Sequence, residues 1–248
     1  MGSSNESLPF KLVLAKLPRG EPLSTATLQT LGVNAFRASA LARSGWLSHL
    51  GRDAYMLPGD TLTRDGCLAY LSQRVSGFHV GGKIALAWRG IRQNVSFQEV
   101  LTLWGDQPKR LPPWFTQRFE SRYQETQLFD AKFHAGFGLQ PLPNGRRDVL
   151  VSVPERALLE LLSDVGKSQS LEETRQLIEG LPNLRERTLD GLLAHATRIK
   201  VVRLAELLAR ELDLPWADLA KRHSQRLGGG KRWIAVAKTG ERLDLRRP

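Results

Sequence analysis

Cysteine is nearly absent: Cys67 is the only one in 248 residues. The chain can therefore close no internal disulfide and build no thiolate zinc site, which suits a reducing compartment. We read Cys67 as a small buried apolar residue. Long apolar runs are missing too. None approaches the roughly 20 residues that cross a bilayer as a helix, and Met1 to Ser7 is polar where a signal peptide would carry its apolar segment. Both point to a cytoplasmic protein with no membrane partner. Histidines are few and scattered: His49, His79, His134, His195 and His223 include no i, i+4 pair and no nearby Glu at metal-ligand spacing. There is no G-x-S-x-G turn. We expect no catalytic residues, no metal and no cofactor, and a binding protein rather than an enzyme.

What is abundant is positive charge. Thirty-six Lys and Arg against 25 Asp and Glu give a net charge of +11, and such a surplus favours a polyanionic partner through counterion release. It is unevenly spread. Residues 1–60 hold six basic and four acidic residues, whereas 221–248 hold nine and two, so the most basic part is the C-terminal end, a solvated tail or a source of phosphate or RNA contacts. Apolar residues at 41% and charged residues at 25% are ordinary for a globular chain. The length suggests two domains.

The stretch Leu23 to Pro58 organises the rest. Ser24 is a helix N-cap, Leu28 and Leu31 form an apolar stripe, and Gly32 ends the helix in a turn that Asn34 converts into the start of a second one. On that helix, Asn34 to Ser44, the spacing turns Phe36, Ala40 and Leu41 inward and Ala35, Ala38, Ser39, Ala42 and Arg43 outward. After Gly45 the period changes, and Trp46 to Leu50 and Ala54 to Leu57 read as two strands joined at Gly51, Arg52 and Asp53. This order is that of a winged helix-turn-helix, which reads duplex DNA with its second helix. The outward face offers few bidentate readers, so specificity is expected to lean on thymine methyls, DNA shape and a second half-site.

Around this unit, Leu8 to Leu17 reads as a first helix, and Asp65 to Val75 as a fourth that packs under the wing, with Cys67, Leu68, Leu71 and Val75 on one face. Gly77, Gly82 and Lys83 match the spacing of a phosphate-cradling loop, but Ile84 stands where a hydroxyl must hold magnesium; a glycine turn into a helix from Lys83 to Trp88 explains them. Strands are expected near Val95 to Leu103, Gln127 to Phe129 and Asp148 to Val153, an extended segment at Arg110 to Phe115, and a turn at Asn144 and Gly145. Asp130 and Lys132, with Asp106 upstream, echo the acid-x-Lys of metal-dependent nucleases, a minor alternative. From Ser152 the chain reads as helical, with capping boxes Ser152/Glu155 and Ser170/Glu173, four helices sharing a core, and Lys200, Arg203 and Arg210 on the exposed side of the last. Arg232 to Ala237 and Arg242 to Leu245 read as a small hairpin.

These elements give an α+β fold: an N-terminal winged helix-turn-helix domain over 8–90, then a mixed α/β domain with a helical bundle portion over 91–248. Ser44 to Leu47 running into Gly51 to Asp60 (GRDAYMLPGD), His79 to Leu86 (HVGGKIAL) and Ser152 to Leu162 (SVPERALLELL) resemble, in order and spacing, the AbiEi antitoxins of bacterial type IV toxin-antitoxin systems. The resemblance implies a winged helix that represses its own operon at promoter inverted repeats. It also implies a C-terminal domain that opposes a nucleotidyltransferase-type toxin without necessarily touching it. Carried over, the contacts to double-stranded DNA fall on Asn34, Arg37, Ser39 and Arg43 in the reading helix and on His49 and Arg52 in the wing. Asp53 departs from the glycine expected in the wing turn, and an acid there is expected to weaken a phosphate contact. A regulator standing alone without a toxin is the main alternative.

Overall fold

The computed structural model describes residues 14–92, 99–107 and 110–227, and the backbone of 233–236 and 242–245. The chain divides into two units, one holding the described residues up to Arg74 together with Arg110–Phe119, the other Val75–Lys109 with Glu120 onward. Together they are mixed α+β, as expected.

In the first unit, residues 14–16 are helical; the rest of the helix read over Leu8 to Leu17 is outside the described residues, apart from Leu17, which joins the core. Helix α1 (Thr25–Thr30) is capped by Ser24, whose hydroxyl accepts from Thr27 N at 2.8 Å. It ends because Gly32 adopts φ +80°, which lets Val33 N donate back to Leu28 O and Gly32 N to Gln29 O, the paired bonds that satisfy a helix's last carbonyls. Helix α2 (Ala35–Arg43) follows, capped by Asn34, and closes with the same bond pair, Trp46 N to Leu41 O and Gly45 N to Ala42 O. Strands β1 (Ser48–Gly51) and β2 (Ala54–Met56) then form an antiparallel hairpin with a register shift after His49. A third backbone segment joins it: Leu23 and Tyr55 exchange both backbone hydrogen bonds, at 2.7 and 2.9 Å. Leu17, Leu23, Leu28, Val33, Ala38, Leu47, Tyr55 and Leu57 share one core.

Helix α3 (Arg64–Ser72) buries Cys67, Leu68 and Leu71, and burial pushes the Cys67 thiol up to about 12, so the thiol stays protonated. Its packing against the hairpin turn is as expected, since Tyr70 Oη donates to Asp53 O at 2.7 Å. The segment Arg110 to Phe115, read as extended, instead contains helix α4 (Pro113–Thr116). Pro113 starts it, and Trp114 packs edge-on against Tyr70 with centroids 5.7 Å apart.

The second unit is built on a sheet of very short strands: β3 (His79–Val80), β4 (Leu101–Trp104), β5 (Ser121–Gln124), β6 (Leu139–Gln140) and β7 (Val151–Ser152), in the order β5-β4-β3-β7-β6. Pairs β4–β5 and β3–β7 are parallel, the other two antiparallel. Helix α5 (Gly82–Trp88) packs on helix α6 (Pro154–Asp164). Helices α7 (Leu171–Glu179), α8 (Glu186–His195), α9 (Ile199–Glu211) and α10 (Ala217–Leu227) complete it, and Trp233–Val236 pairs with Arg242–Leu245 as the expected terminal hairpin. Val95 and Phe97, read as strand, lie outside the described residues. Gln127 to Phe129 forms no strand, only an isolated bridge from Phe129 to Ala196. Asn144, at φ +61°, turns the connection between β6 and β7.

The Ser170/Glu173 cap is present, Ser170 Oγ accepting from Glu173 N. The Ser152/Glu155 box is not. Val153 is the N-cap of α6, and both expected members have other partners: Ser152 Oγ donates to Glu160 Oε2 at 2.8 Å, two turns along the same helix, and Glu155 accepts from Arg185 N, Nε and Nη2, 30 residues on. Lys200 and Arg203 are also not on an exposed side. Helix α9 packs against both α6 and α10, so residues 201–206 are all buried, and the Lys200 ammonium donates to Ser163 O and Val165 O. Burial lowers the Lys200 pKa to about 8. Arg210 is exposed, as expected.

Glu160 lies at the centre of this unit, 1% exposed. Its carboxylate accepts from His79 Nε2 at 2.8 Å, Arg156 Nε at 3.0 Å, Ser152 Oγ and Gly82 N at 2.9 Å. The other ring nitrogen of His79 lies 2.6 Å from Gly77 O. A Cβ on Gly81 would lie 2.1 Å from Glu160 Oε2, so only glycine lets the carboxylate come this close. Burial raises the Glu160 carboxyl, but His79, Arg156 and Ser152 outweigh it and hold the group below the ordinary glutamate value.

Breaking a buried ion pair from one side leaves the remaining charge uncompensated, at a cost of about 3–5 kcal/mol. Glu160→Gln should therefore lower unfolding free energy by about that much, read as a reduced urea midpoint at unchanged slope. Asp164, at the end of α6, behaves oppositely: burial raises its carboxyl to about 6, while Gln124 Nε2 donates to it. The folded state then binds the proton more tightly than the unfolded one, so this contribution is complete below about pH 4 and is lost as pH rises through 6. Between those values the stability of Asp164→Asn should gain on wild type by up to about 3 kcal/mol, measured as paired urea unfolding curves at pH 4 and pH 7.

Candidate nucleic-acid interface

Helix α2 sits on its core by a different arc than its apolar spacing indicates. Ala38 is 0% exposed and packs inward with Leu41 and Ala42, whereas Phe36 is 79% exposed. The expected inward set Phe36, Ala40 and Leu41 is thus corrected by about one-third of a turn. The reason is steric: a small side chain at position 38 lets the helix lie close against Leu28, Val33 and Leu47. The outward arc carries Ala35, Phe36, Ser39 and Arg43.

The sequence-derived contacts are placed as follows. Asn34 is exposed, but its side-chain oxygen is engaged, accepting from Arg37 N at 2.9 Å. Arg37 is half-buried on the flank, and Ser39 and Arg43, one turn apart, are exposed. His49 is exposed on β1 with its ring edge-on to Tyr55, centroids 5.3 Å apart, and Arg52 is exposed in the hairpin turn. From Asn34 to Arg52 the chain has three arginines, Arg37, Arg43 and Arg52, and no Asp or Glu.

The next residue is the acid that departs from the expected turn glycine. Asp53 does adopt a left-handed conformation, φ +58°. Its side chain is 41% exposed and its carboxylate is engaged at both oxygens, Oδ1 accepting from Thr25 N at 2.8 Å and Oδ2 pairing with Arg74 Nη2. The charge is met by a guanidinium and by the N-terminus of α1, whose partial positive charge it complements. Sequence reasoning missed Phe36, because its spacing fits an inward stripe as well as an outward one.

In the second unit the phosphate-loop spacing has another use. Gly82 N, which such a loop would present to a nucleotide, donates to Glu160, and Lys83 pairs with Glu173. The acid-x-Lys spacing forms a side-chain turn: Asp130 Oδ1 accepts from Lys132 N at 2.9 Å, and both carboxylate oxygens lie 3.1 Å from His195 Nδ1. Desolvation, which raises the Asp130 carboxyl, is outweighed by these bonds, leaving it below the ordinary aspartate value. Asp106 accepts instead from Ser76 Oγ. Among the described residues, no three His, Cys, Asp or Glu side chains come together as a metal would need, and no helix is long and apolar enough to cross a membrane.

Comparison with known proteins brings in the family. Residues 6–97 match the family described as "Transcriptional regulator, AbiEi antitoxin N-terminal domain", and residues 98–245 that described as "Transcriptional regulator, AbiEi antitoxin, Type IV TA system". No protein of curated function matches. Among solved structures the chain is similar to the RV2827C protein from Mycobacterium tuberculosis, at 16% identity and a TM-score of 0.52, over 88% of this chain and 78% of that one; at that identity the likeness concerns the fold. With both of its halves matched, the chain belongs to the AbiEi antitoxin family of transcriptional regulators of type IV toxin-antitoxin systems.

Proposed function

We propose that this protein is a DNA-binding antitoxin that represses its own operon. In this reading the N-terminal domain, residues 8–90, is a winged helix-turn-helix; α2 enters the major groove of double-stranded DNA, and the β1–β2 hairpin is the wing that rests on the backbone. The observation that carries it is the exposed arc of α2, followed by a hairpin turn, in a stretch with three arginines and no acid, the first acid after it having its charge paired with Arg74 and Thr25 N. Arg37, Arg43 and Arg52 supply phosphate or guanine contacts, Ser39 and His49 reach base edges or backbone, and Asn34, exposed, fixes the start of the helix and contributes a contact there. So few polar readers on one helix favour two half-sites, as promoter inverted repeats provide.

The C-terminal domain, residues 91–248, counteracts a nucleotidyltransferase-type toxin in this reading, without necessarily binding it, and the protein works in the cytoplasm as a binding protein rather than an enzyme. Membership of a toxin-antitoxin family supports this assignment.

The test is a gel shift with the DNA immediately upstream of the gene, at fixed physiological salt and against competitor DNA, because phosphate contacts make affinity salt-dependent. Wild type should give a competitor-resistant shift, and Arg37→Ala with Arg43→Ala should lose it by roughly 10-fold or more. Binding that is purely salt-sensitive and unchanged in the double variant would remove α2 as the reader and turn attention to the basic C-terminal end.

A further inference from the structure

The exposed arc of α2 carries one large apolar side chain, Phe36, and 79% of it is in solvent. It lies in the first turn, two residues after the N-cap Asn34. In helix-turn-helix docking, the N-terminal residues of the second helix are the ones that contact base edges. Ser39 and Arg43, at i+3 and i+7 from Phe36, share its face and are exposed. The neighbouring Ala35 is exposed and small.

The chemistry of the flanks selects the surface. The ring lies in an acid-free stretch, Asn34 to Arg52, that carries Arg37, Arg43 and Arg52, complementary to a polyanion. A phenyl group on such a face cannot hydrogen-bond, and the apolar feature that the major groove offers is the C5-methyl of thymine. Resting on the DNA-binding reading above, we propose that Phe36 is the specificity-determining residue of α2, packing on a thymine methyl in each half-site of its duplex operator. The arginines hold the helix on the backbone and Phe36 sets which sequence it rests on. Phosphate contacts weaken with salt, whereas a ring against a methyl group releases no counterions. Removing the ring should thus change discrimination and leave the salt slope alone.

The experiment uses the full chain and the upstream duplex, with each thymine replaced in turn by deoxyuridine, which keeps the hydrogen-bonding edge and lacks only the methyl. Phe36→Ala should weaken competitor-resistant binding roughly 10-fold, with an unchanged dependence on salt, while Phe36→Leu keeps most of the affinity. One deoxyuridine position per half-site should weaken wild type and have no further effect on Phe36→Ala. An unaltered thermal midpoint, expected because the side chain is exposed, shows that the variant is folded. If wild type binds specifically but Phe36→Ala binds as tightly, or if deoxyuridine weakens both proteins equally, Phe36 does not read the operator, and the DNA-binding reading stands without it. If Phe36→Ala instead converts a dimer to a monomer on size exclusion while the monomer discriminates normally, the ring is a contact between copies and the proposal fails. If wild type gives no competitor-resistant shift, the DNA-binding reading fails and takes this proposal with it.

Discussion

The buried carboxylate of Glu160 is the interaction on which the second unit depends. It collects an imidazole, a guanidinium, a hydroxyl and a backbone amide from β3, α6, β7 and the start of α5. Strands β3 and β7 have only two residues each, too few to hold a sheet by ladder bonds alone. A carboxylate is expensive to bury unless every lone pair is met by a donor. Here the donors are met, and the groups that meet them are the ones that must be brought into register. Arg89 adds a second tie, donating to Ser152 O and Val151 O. Arg156 completes its own bonding at Ala135 O and Phe137 O and lies over the Phe129 and Phe133 rings, fixing the loop before β6.

The same device recurs at smaller scale. Thr25 N at the start of α1 donates to Asp53, 28 residues later, and Arg185 N at the start of α8 donates to Glu155, 30 residues earlier. Helices α5 and α8 have no local side-chain cap. A carboxylate from elsewhere satisfies one of the free amides at each start and complements the positive end of the helix. Local capping and tertiary folding are thereby made one event. In the hairpin turn the Asp53 charge is thereby met by Thr25 N and Arg74, while Arg52 beside it is exposed.

The face of α2 shows how packing and recognition divide one short helix. Its inward positions, Ala38, Leu41 and Ala42, are small or medium-sized, so the helix lies close to its core and needs no aromatic there. The large ring of Phe36 is left on the outside with Ser39 and Arg43. An exposed phenylalanine forfeits the free energy of burial, so its place on a basic, acid-free face carries more information than an exposed charge in the same position would.

Features set by neighbours along the chain were legible in the sequence. Ser24, Asn34 and Ser170 cap the helices they were read to cap, Gly32 and Gly45 end two of them, and Pro154 opens α6, because caps and turns depend on groups within a few residues. The order helix, turn, helix and hairpin was legible for the same reason, as was the burial of Cys67. The family motifs around His79 and Ser152 could be seen as motifs, but their joint purpose could not: His79 and Glu160 are 81 residues apart, and no periodicity records a contact of that span. Glu155, Lys200 and Arg203 were misread in one way, each taken as local or exposed when its partner or its burial came from distant chain. The two-residue strands fell below any period. The rotation of α2 was undetermined because two three-position stripes on a nine-residue helix differ by less than half a turn; the burial of Ala38 in the core that also holds Leu28, Val33 and Leu47 decided between them, and with it which side chains α2 presents.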